Sequence, residues 1–203
     1  MNPEMRRVVA AAETASRGGW NDSDVAALAF STRPLRIGED ELRRLLNLPP
    51  ADHGFREEVF TTDSSFHASV FALATGEIIP LHDHPSLDVI SKVLHGRVCV
   101  RTYEWIDVAN LVAGERGAVV IGEDDDPFVL RKSPGTLHTV TALEPTAFLD
   151  LFAPYYDEDA RPCSYYVVDE SAAGRRRDGG APEGVGDVQG VQLRVVSWEE
   201  ARA

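Results

Sequence analysis

The chain has 203 residues, with 33 Asp and Glu against 20 Lys and Arg and a formal net charge of −13. An acidic surface repels phosphate groups, so this charge argues against nucleic acids and anionic membranes as partners. A run of about 18 apolar residues, as a membrane span needs, is absent, and two cysteines are too few for a disulfide framework, which favours a reducing cytoplasm.

The first part of the chain, residues 1–54, is predicted to form helices that pack on the remainder of the protein. One helix is expected over residues 5–15. A second is expected over residues 38–46, because its acidic start complements the positive end of a helix dipole. Pro49 and Pro50 then end this element, since proline lacks the backbone N–H that a helix needs.

Residues 55–170 consist of short β-rich runs separated by Gly, Pro and Asp, which favours a closed barrel or a double-sheet jelly roll. The predicted strands cover residues 66–74, 89–94, 98–105, 118–121, 128–131, 138–142, 147–152 and 164–168. Residues 171–190 are Gly-rich and are predicted to be a flexible loop. Their Arg175–Arg177 cluster is either a solvated part of that loop or a localisation signal. Residues 191–203 are predicted to add one last strand and a tail.

Three histidines have the spacing of metal ligands. His82 and His84 are two residues apart, so on a strand their side chains leave the same face. His138 arrives from a later strand, and Gly76 and Gly135 permit tight turns before the two motifs. Imidazole nitrogens suit iron, copper, nickel or zinc, and three ligands leave positions open for substrate. The alternative is that the three histidines are unrelated packing or surface residues.

These two motifs resemble the signature motifs of the cupin superfamily. The resemblance implies an all-β double-stranded β-helix, that is, a jelly-roll barrel, here with N-terminal helices. Ordinary cupins use a glutamate as a fourth metal ligand, and the corresponding residue here is Asp88, whose side chain is one methylene shorter. Asp88 is therefore either a fourth ligand or a carboxylate outside the ligand set.

Further segments resemble the thiol dioxygenase family that contains plant cysteine oxidases and 2-aminoethanethiol dioxygenases. The matching segments are Ile79-Pro-Leu-His-Asp-His-Pro85, Ser91-Lys-Val-Leu-His-Gly96, Asp150-Leu-Phe-Ala-Pro-Tyr-Tyr156 and Asp159-Ala-Arg-Pro-Cys-Ser-Tyr-Tyr166. The resemblance implies one non-haem Fe(2+) held by His82, His84 and His138. It also implies that both atoms of O2 are added to a thiol, which gives a sulfinic acid.

The same resemblance assigns roles to four more residues. Asp150 is expected to orient a substrate amine or act on bound oxygen, and Tyr156 to donate its hydroxyl to oxygen or sulfur. Cys163 and Tyr165 are a pair that can form a thioether crosslink in animal members of the family. The alternatives are structural: Asp150 hydrogen-bonded to backbone, Tyr156 in the core, and Cys163 as a free thiol beside a packing tyrosine.

The expected substrate is a thiol next to a free amine, either the N-terminal cysteine of a peptide or protein or the small aminothiol cysteamine. No basic residue stands out in the motif region to bind a free carboxylate, which disfavours free cysteine. The protein is expected to act as a monomer in the cytoplasm, with the nucleus as a second compartment. One alternative is a cupin with Asp88 as fourth ligand to Mn, Ni or Zn and a carbon substrate. The other is a non-catalytic cupin sensor or storage module.

Overall fold

The structure is a computed structural model that describes residues 3–51, 55–63, 65–132, 137–154, 162–169 and 190–201. Three helices precede the strands and a short one closes the described chain: α1 (Pro3–Arg17), α2 (Asp22–Thr32), α3 (Glu39–Leu46) and α4 (Trp198–Ala201). The strands are β1 (Arg56–Asp63), β2 (Phe66–Leu73), β3 (Ile78–His82), β4 (Asp88–His95), β5 (Arg97–Asp107), β6 (Val112–Gly122), β7 (Phe128–Leu130), β8 (Leu137–Ala142), β9 (Thr146–Ala153), β10 (Tyr165–Val168) and β11 (Gly190–Val196).

The strands form two antiparallel sheets, and the chain crosses repeatedly between them. One sheet has the order β1-β2-β9-β4-β7, and the other closes on itself in the order β10-β11-β6-β5-β8-β3. Successive strands from β2 to β5 lie in alternate sheets, and the same alternation returns from β6 to β9. This winding is that of a double-stranded β-helix, which confirms the predicted fold class.

The N-terminal helices pack against the five-stranded sheet. In α1 the buried residues Met5, Val8, Ala12 and Ala15 recur at helical spacing. They join one apolar core with alternate residues of the central strands, such as Leu149 of β9. The helices predicted over residues 5–15 and 38–46 are confirmed as α1 and α3.

Helix α2 is absent from the sequence-based prediction. Its buried residues Val25, Leu28, Ala29 and Thr32 recur at helical spacing, but apolar residues such as the exposed Phe30 also lie on its other face. Its start is nevertheless well defined. The side-chain oxygen of Asn21 accepts hydrogen bonds from the backbone N–H of Ser23 and Asp24, both at 3.0 Å. This N-cap supplies partners for two of the N–H groups that a helix start leaves unpaired.

The strands can also be compared with the sequence-based prediction. The final strand was predicted correctly: β11 pairs with β10 and with β6, and so completes the closed sheet. The predicted strands did not include β1, and β3 was expected only as the strand that carries His82 and His84; in the structure it ends at His82. Most of the predicted Gly-rich loop, including Arg175–Arg177, lies outside the described residues. Among the described helices, none is both long and apolar enough to cross a bilayer.

Candidate metal centre and active site

The three predicted ligands lie together between the two sheets. His82 ends β3 and is the direct cross-strand partner of His138 in β8. Their ring centroids are 4.2 Å apart, and the His84 ring lies 4.8 Å from that of His82 and 5.1 Å from that of His138. The candidate ligand atoms of all three lie within 4.8 Å of one another, and no other such group of His, Cys, Asp or Glu occurs among the described residues.

A backbone irregularity in β3 helps to direct His82 inward. The register of β3 against β8 shifts between Ile79 and His82. In a regular strand residues three apart face opposite sides, yet Ile79 and His82 both line the same cavity. The extra residue of the irregularity therefore turns His82 towards His138.

Burial keeps the imidazoles of His82 and His84 neutral. It lowers the pKa of His82 to about 4, against the opposing effect of hydrogen bonds to the backbone of Pro80 and His138. Burial, followed by the neighbouring imidazoles, also holds the pKa of His84 well below its ordinary value. The Nδ1 atom of His82 lies 2.8 Å from the carbonyl oxygen of Pro80. A carbonyl only accepts, so Nδ1 carries the proton and Nε2 keeps its lone pair. Neutral imidazole is the form that binds metals.

This donor set fits a divalent transition metal. Three nitrogen ligands match iron, copper, nickel or zinc, whereas magnesium, calcium and manganese prefer oxygen ligands. Of the candidate ligands, His82 and His138 are buried and His84 is partly buried. The residues present therefore fit the Fe(2+) that the family resemblance implies, with no carboxylate in the described ligand group.

Asp88 lies outside this group, so the geometry gives no support to its role as a fourth ligand. Ser91 of β4 faces the cavity, and Asp88, three positions earlier in a regular stretch, faces the other side of the sheet. There its Oδ1 atom accepts a hydrogen bond of 2.9 Å from the backbone N–H of Lys132 and lies 3.4 Å from Nε of Arg131. The carbon-substrate alternative thereby loses the residue on which it depended.

Asp150 lies beside the histidines, as predicted. It lines a small cavity together with His82 and His138, and the remaining lining residues are Ser91 and apolar side chains from both sheets. The Ser91 hydroxyl donates a hydrogen bond of 2.5 Å to Oδ1 of Asp150. Burial raises the pKa of Asp150 to about 7, the Ser91 hydrogen bond opposes this rise, and the charge of Glu57 adds to it. Asp150 can therefore hold or release a proton near neutral pH.

Sequence reasoning missed a row of polar residues next to Asp150. Ser69 of β2 is the cross-strand partner of Asp150. The Nε2 atom of His67 lies 2.5 Å from the Ser69 hydroxyl and 3.3 Å from the carboxylate of Glu57. His67 and Ser69 are two apart on β2, and this spacing was the available signal. The row extends the polar surroundings of Asp150 across the inner face of the sheet.

The predicted crosslink pair also lies near the centre. The Tyr165 ring is 6.0 Å from the His82 ring, and Tyr165 pairs with His82 in the sheet. Burial and then the adjacent Cys163 side chain raise the pKa of the Tyr165 hydroxyl. The two side chains therefore interact, while the thioether itself stays a prediction. Tyr156 lies outside the described residues, and so does Gly135.

Fold and site together define a cupin with a candidate metal centre of three histidines. The PCO_ADO family model matches residues 55–185, well over half of the chain, and the chain belongs to this family.

Two curated relatives and one solved structure illustrate the similarity. A 2-aminoethanethiol dioxygenase of Mus musculus is 34% identical over 160 residues, which make up 66% of this chain and 61% of the mouse protein. Plant cysteine oxidase 2 of Arabidopsis thaliana is 29% identical over 109 residues, 50% of this chain and 40% of the plant protein. The chain thus spans less than two thirds of each of these relatives. A Klebsiella pneumoniae protein with a double-stranded β-helix domain covers 59% of this chain and 90% of its own, at 18% identity and a TM-score of 0.42.

Proposed function

We propose that this chain is an Fe(2+)-dependent thiol dioxygenase that uses O2 to oxidise a thiol next to a free amine to the sulfinic acid. The substrate is the N-terminal cysteine of a peptide or protein, or cysteamine. The observation that carries the proposal is the close grouping of His82, His84 and His138 in a member of the PCO_ADO family. The names of the relatives, cysteine oxidase and 2-aminoethanethiol dioxygenase, give the reaction class.

The three histidines would hold the iron. When bound, Fe(2+) supplies oxygen activation and a positive charge that lowers the pKa of a nearby thiol. Neutral imidazoles leave that charge uncompensated, which favours an anionic sulfur as partner. The overall reaction, RSH + O2 → RSO2H, places both oxygen atoms on sulfur and needs no external reductant.

The cavity favours an amine over a carboxylate in the substrate. Its described lining holds one carboxylate, Asp150, and no guanidinium or ammonium group. An ionised Asp150 attracts the ammonium group of an N-terminal cysteine or of cysteamine, whereas the carboxylate of free cysteine finds no cation there. The other lining side chains from both sheets, such as Val93, Val140 and Phe148, exclude water and so strengthen this electrostatic preference.

Product masses test the proposal. The iron-loaded protein is incubated in air with a peptide that begins with cysteine, with the same peptide acetylated at its N-terminus, and with cysteamine. We expect the free-amine substrates to gain two oxygen atoms and the acetylated peptide to react far more slowly. Asp150→Asn, with iron retained, should slow oxidation of the free-amine substrates most. No oxidation of any thiol by iron-loaded protein would refute the proposal.

A further inference from the structure

The residue between His82 and His84 ties the metal centre to strand β10. Oδ1 of Asp83 accepts a hydrogen bond of 3.0 Å from the backbone N–H of Ser164. Its Oδ2 accepts one of 2.8 Å from the Tyr166 hydroxyl. The backbone N–H of Asp83 also donates to the carbonyl of Ser164 at 3.2 Å. Three hydrogen bonds thus connect this single residue to the segment that leads into β10.

The regular strand pairing ends one residue before Asp83 and does not reach His84. Strand β3 ends at His82, and the pairing of β3 with β8 ends at His82 and His138. Beyond this point, the backbone makes the hydrogen bond of Asp83 to Ser164 and one of 3.2 Å from the N–H of Leu87 to the carbonyl of His84. The Asp83 side chain is directed towards β10, whereas the His84 ring lies against those of His82 and His138.

Tyr166 is a firm anchor for this segment. Its ring is 6% exposed and packs edge-on against Trp105 at a centroid distance of 5.4 Å. It belongs to an apolar cluster enclosed by the closed sheet, together with Leu193 of β11. The pairing of β10 with β11 runs over Tyr165 to Val168. Strand β11 therefore helps to fix the Tyr166 side chain, whose hydroxyl donates to Asp83.

We propose that Asp83 and Tyr166 form a clamp that positions His82 and His84 for metal binding. Asp83 and Tyr166 are positioning residues, because they act through the histidines and do not contact substrate. The clamp rests on the three-histidine centre proposed above. Direct hydrogen-bonding partners of metal-binding imidazoles typically contribute about 10- to 100-fold to metal affinity; Asp83 and Tyr166 act on the histidines through the backbone, so we expect the lower end of this range. Tyr166→Phe should therefore weaken binding by about 10-fold while the apolar packing of the ring is kept.

Tyr103→Phe is the matched control. Tyr103 is a partly buried neighbour of the same apolar cluster, and no hydrogen bond of its hydroxyl is found among the described residues. Asp83→Asn is a second, nearly isosteric variant. It keeps an oxygen that can accept from Ser164 but replaces the carboxylate oxygen that accepts from Tyr166.

The experiment titrates Co(2+), an air-stable stand-in for Fe(2+), into the metal-free full chain and its variants. We expect wild type and Tyr103→Phe to bind one Co(2+) with the same affinity. Tyr166→Phe and Asp83→Asn should bind it more weakly and with a shifted visible absorption band, because the ligand geometry changes. The unfolding midpoint of each metal-free variant shows whether the fold is retained.

Two outcomes separate the hypotheses. If wild type binds Co(2+) and both clamp variants bind it equally well with an unchanged spectrum, the clamp is refuted and the metal centre stands. A lower unfolding midpoint alone would then show a purely structural role for the pair. If wild type itself binds no Co(2+) at this site, the proposed function fails, and the clamp fails with it.

Discussion

Replacement of Asp150 by Asn should stabilise the metal-free protein at high pH. Burial raises the pKa of this carboxyl from 3.8 to about 7. At 1.36 kcal/mol for each tenfold change in acidity, ionisation inside the fold costs about 4 kcal/mol at most. The stability that the neutral carboxyl provides is fully present below pH 3.8 and is lost as the pH rises through 7. Asparagine does not ionise and can still accept the Ser91 hydrogen bond.

The assay is denaturant unfolding of metal-free wild type and Asp150→Asn at intervals from pH 4 to pH 8. We expect nearly equal free energies of unfolding at pH 4 and a growing advantage of the variant towards pH 8. Asp88→Asn is the control, because Asp88 is also buried but accepts from Lys132 and lies beside Arg131. That substitution should destabilise the protein. An Asp150→Asn variant that is no more stable than wild type at pH 8 would refute the reasoning about burial.

Three further predictions concern the metal and the fold. His138→Ala removes one of the three ligands, so added Fe(2+) or Co(2+) should no longer raise the thermal unfolding midpoint, as it should for wild type. Lys92 is 1% exposed and its ammonium donates to two backbone carbonyls of the turn between β6 and β7. Lys92→Met should therefore cost about 2 to 3 kcal/mol in denaturant unfolding, and an unchanged midpoint would contradict this. Gly96 has a φ of 77°, and an added Cβ would lie 2.5 Å from the carbonyl oxygen of Pro145. Gly96→Ala should lower the unfolding free energy by more than Gly76→Ala, because Gly76 has a similar φ but open space around it. An equal loss in both variants would show that the contact with Pro145 is unimportant.

Much of the fold was readable from the sequence because periodicity and turn residues carry local information. The acidic start of residues 38–46 predicted α3, and a helix over residues 5–15 was also expected; the buried residues of α1 do recur at helical spacing. Helix α2 was missed because exposed apolar residues such as Phe30 hide the helical spacing of its buried residues. The histidine motif was placed on a strand, but the bounds of β3 were not predicted, because this strand is only five residues long and contains Pro80.

The candidate site was also predicted only in part: local spacing predicted the ligands, but contacts between distant strands were not predicted. The two-residue spacing of His82 and His84 predicted a shared face, and the structure brings His138 to them. The hydrogen bond of Ser91 to Asp150 could not be predicted from the sequence. It joins residues on different strands, and the register between those strands depends on the whole sheet. Asp88 matched a ligand position by sequence, but the alternation of β4 turns it to the other face. That direction becomes clear only once Ser91 is known to face the cavity.

Incorporation of labelled oxygen tests the central claim most directly. The iron-loaded chain is incubated under oxygen-18 gas with a peptide that begins with cysteine, and the product is weighed by mass spectrometry alongside His84→Ala. We predict a sulfinic acid that carries two oxygen-18 atoms from wild type and no such product from the variant. An unoxidised peptide, or a product that takes oxygen from water, with iron bound in wild type would contradict the assignment as a thiol dioxygenase.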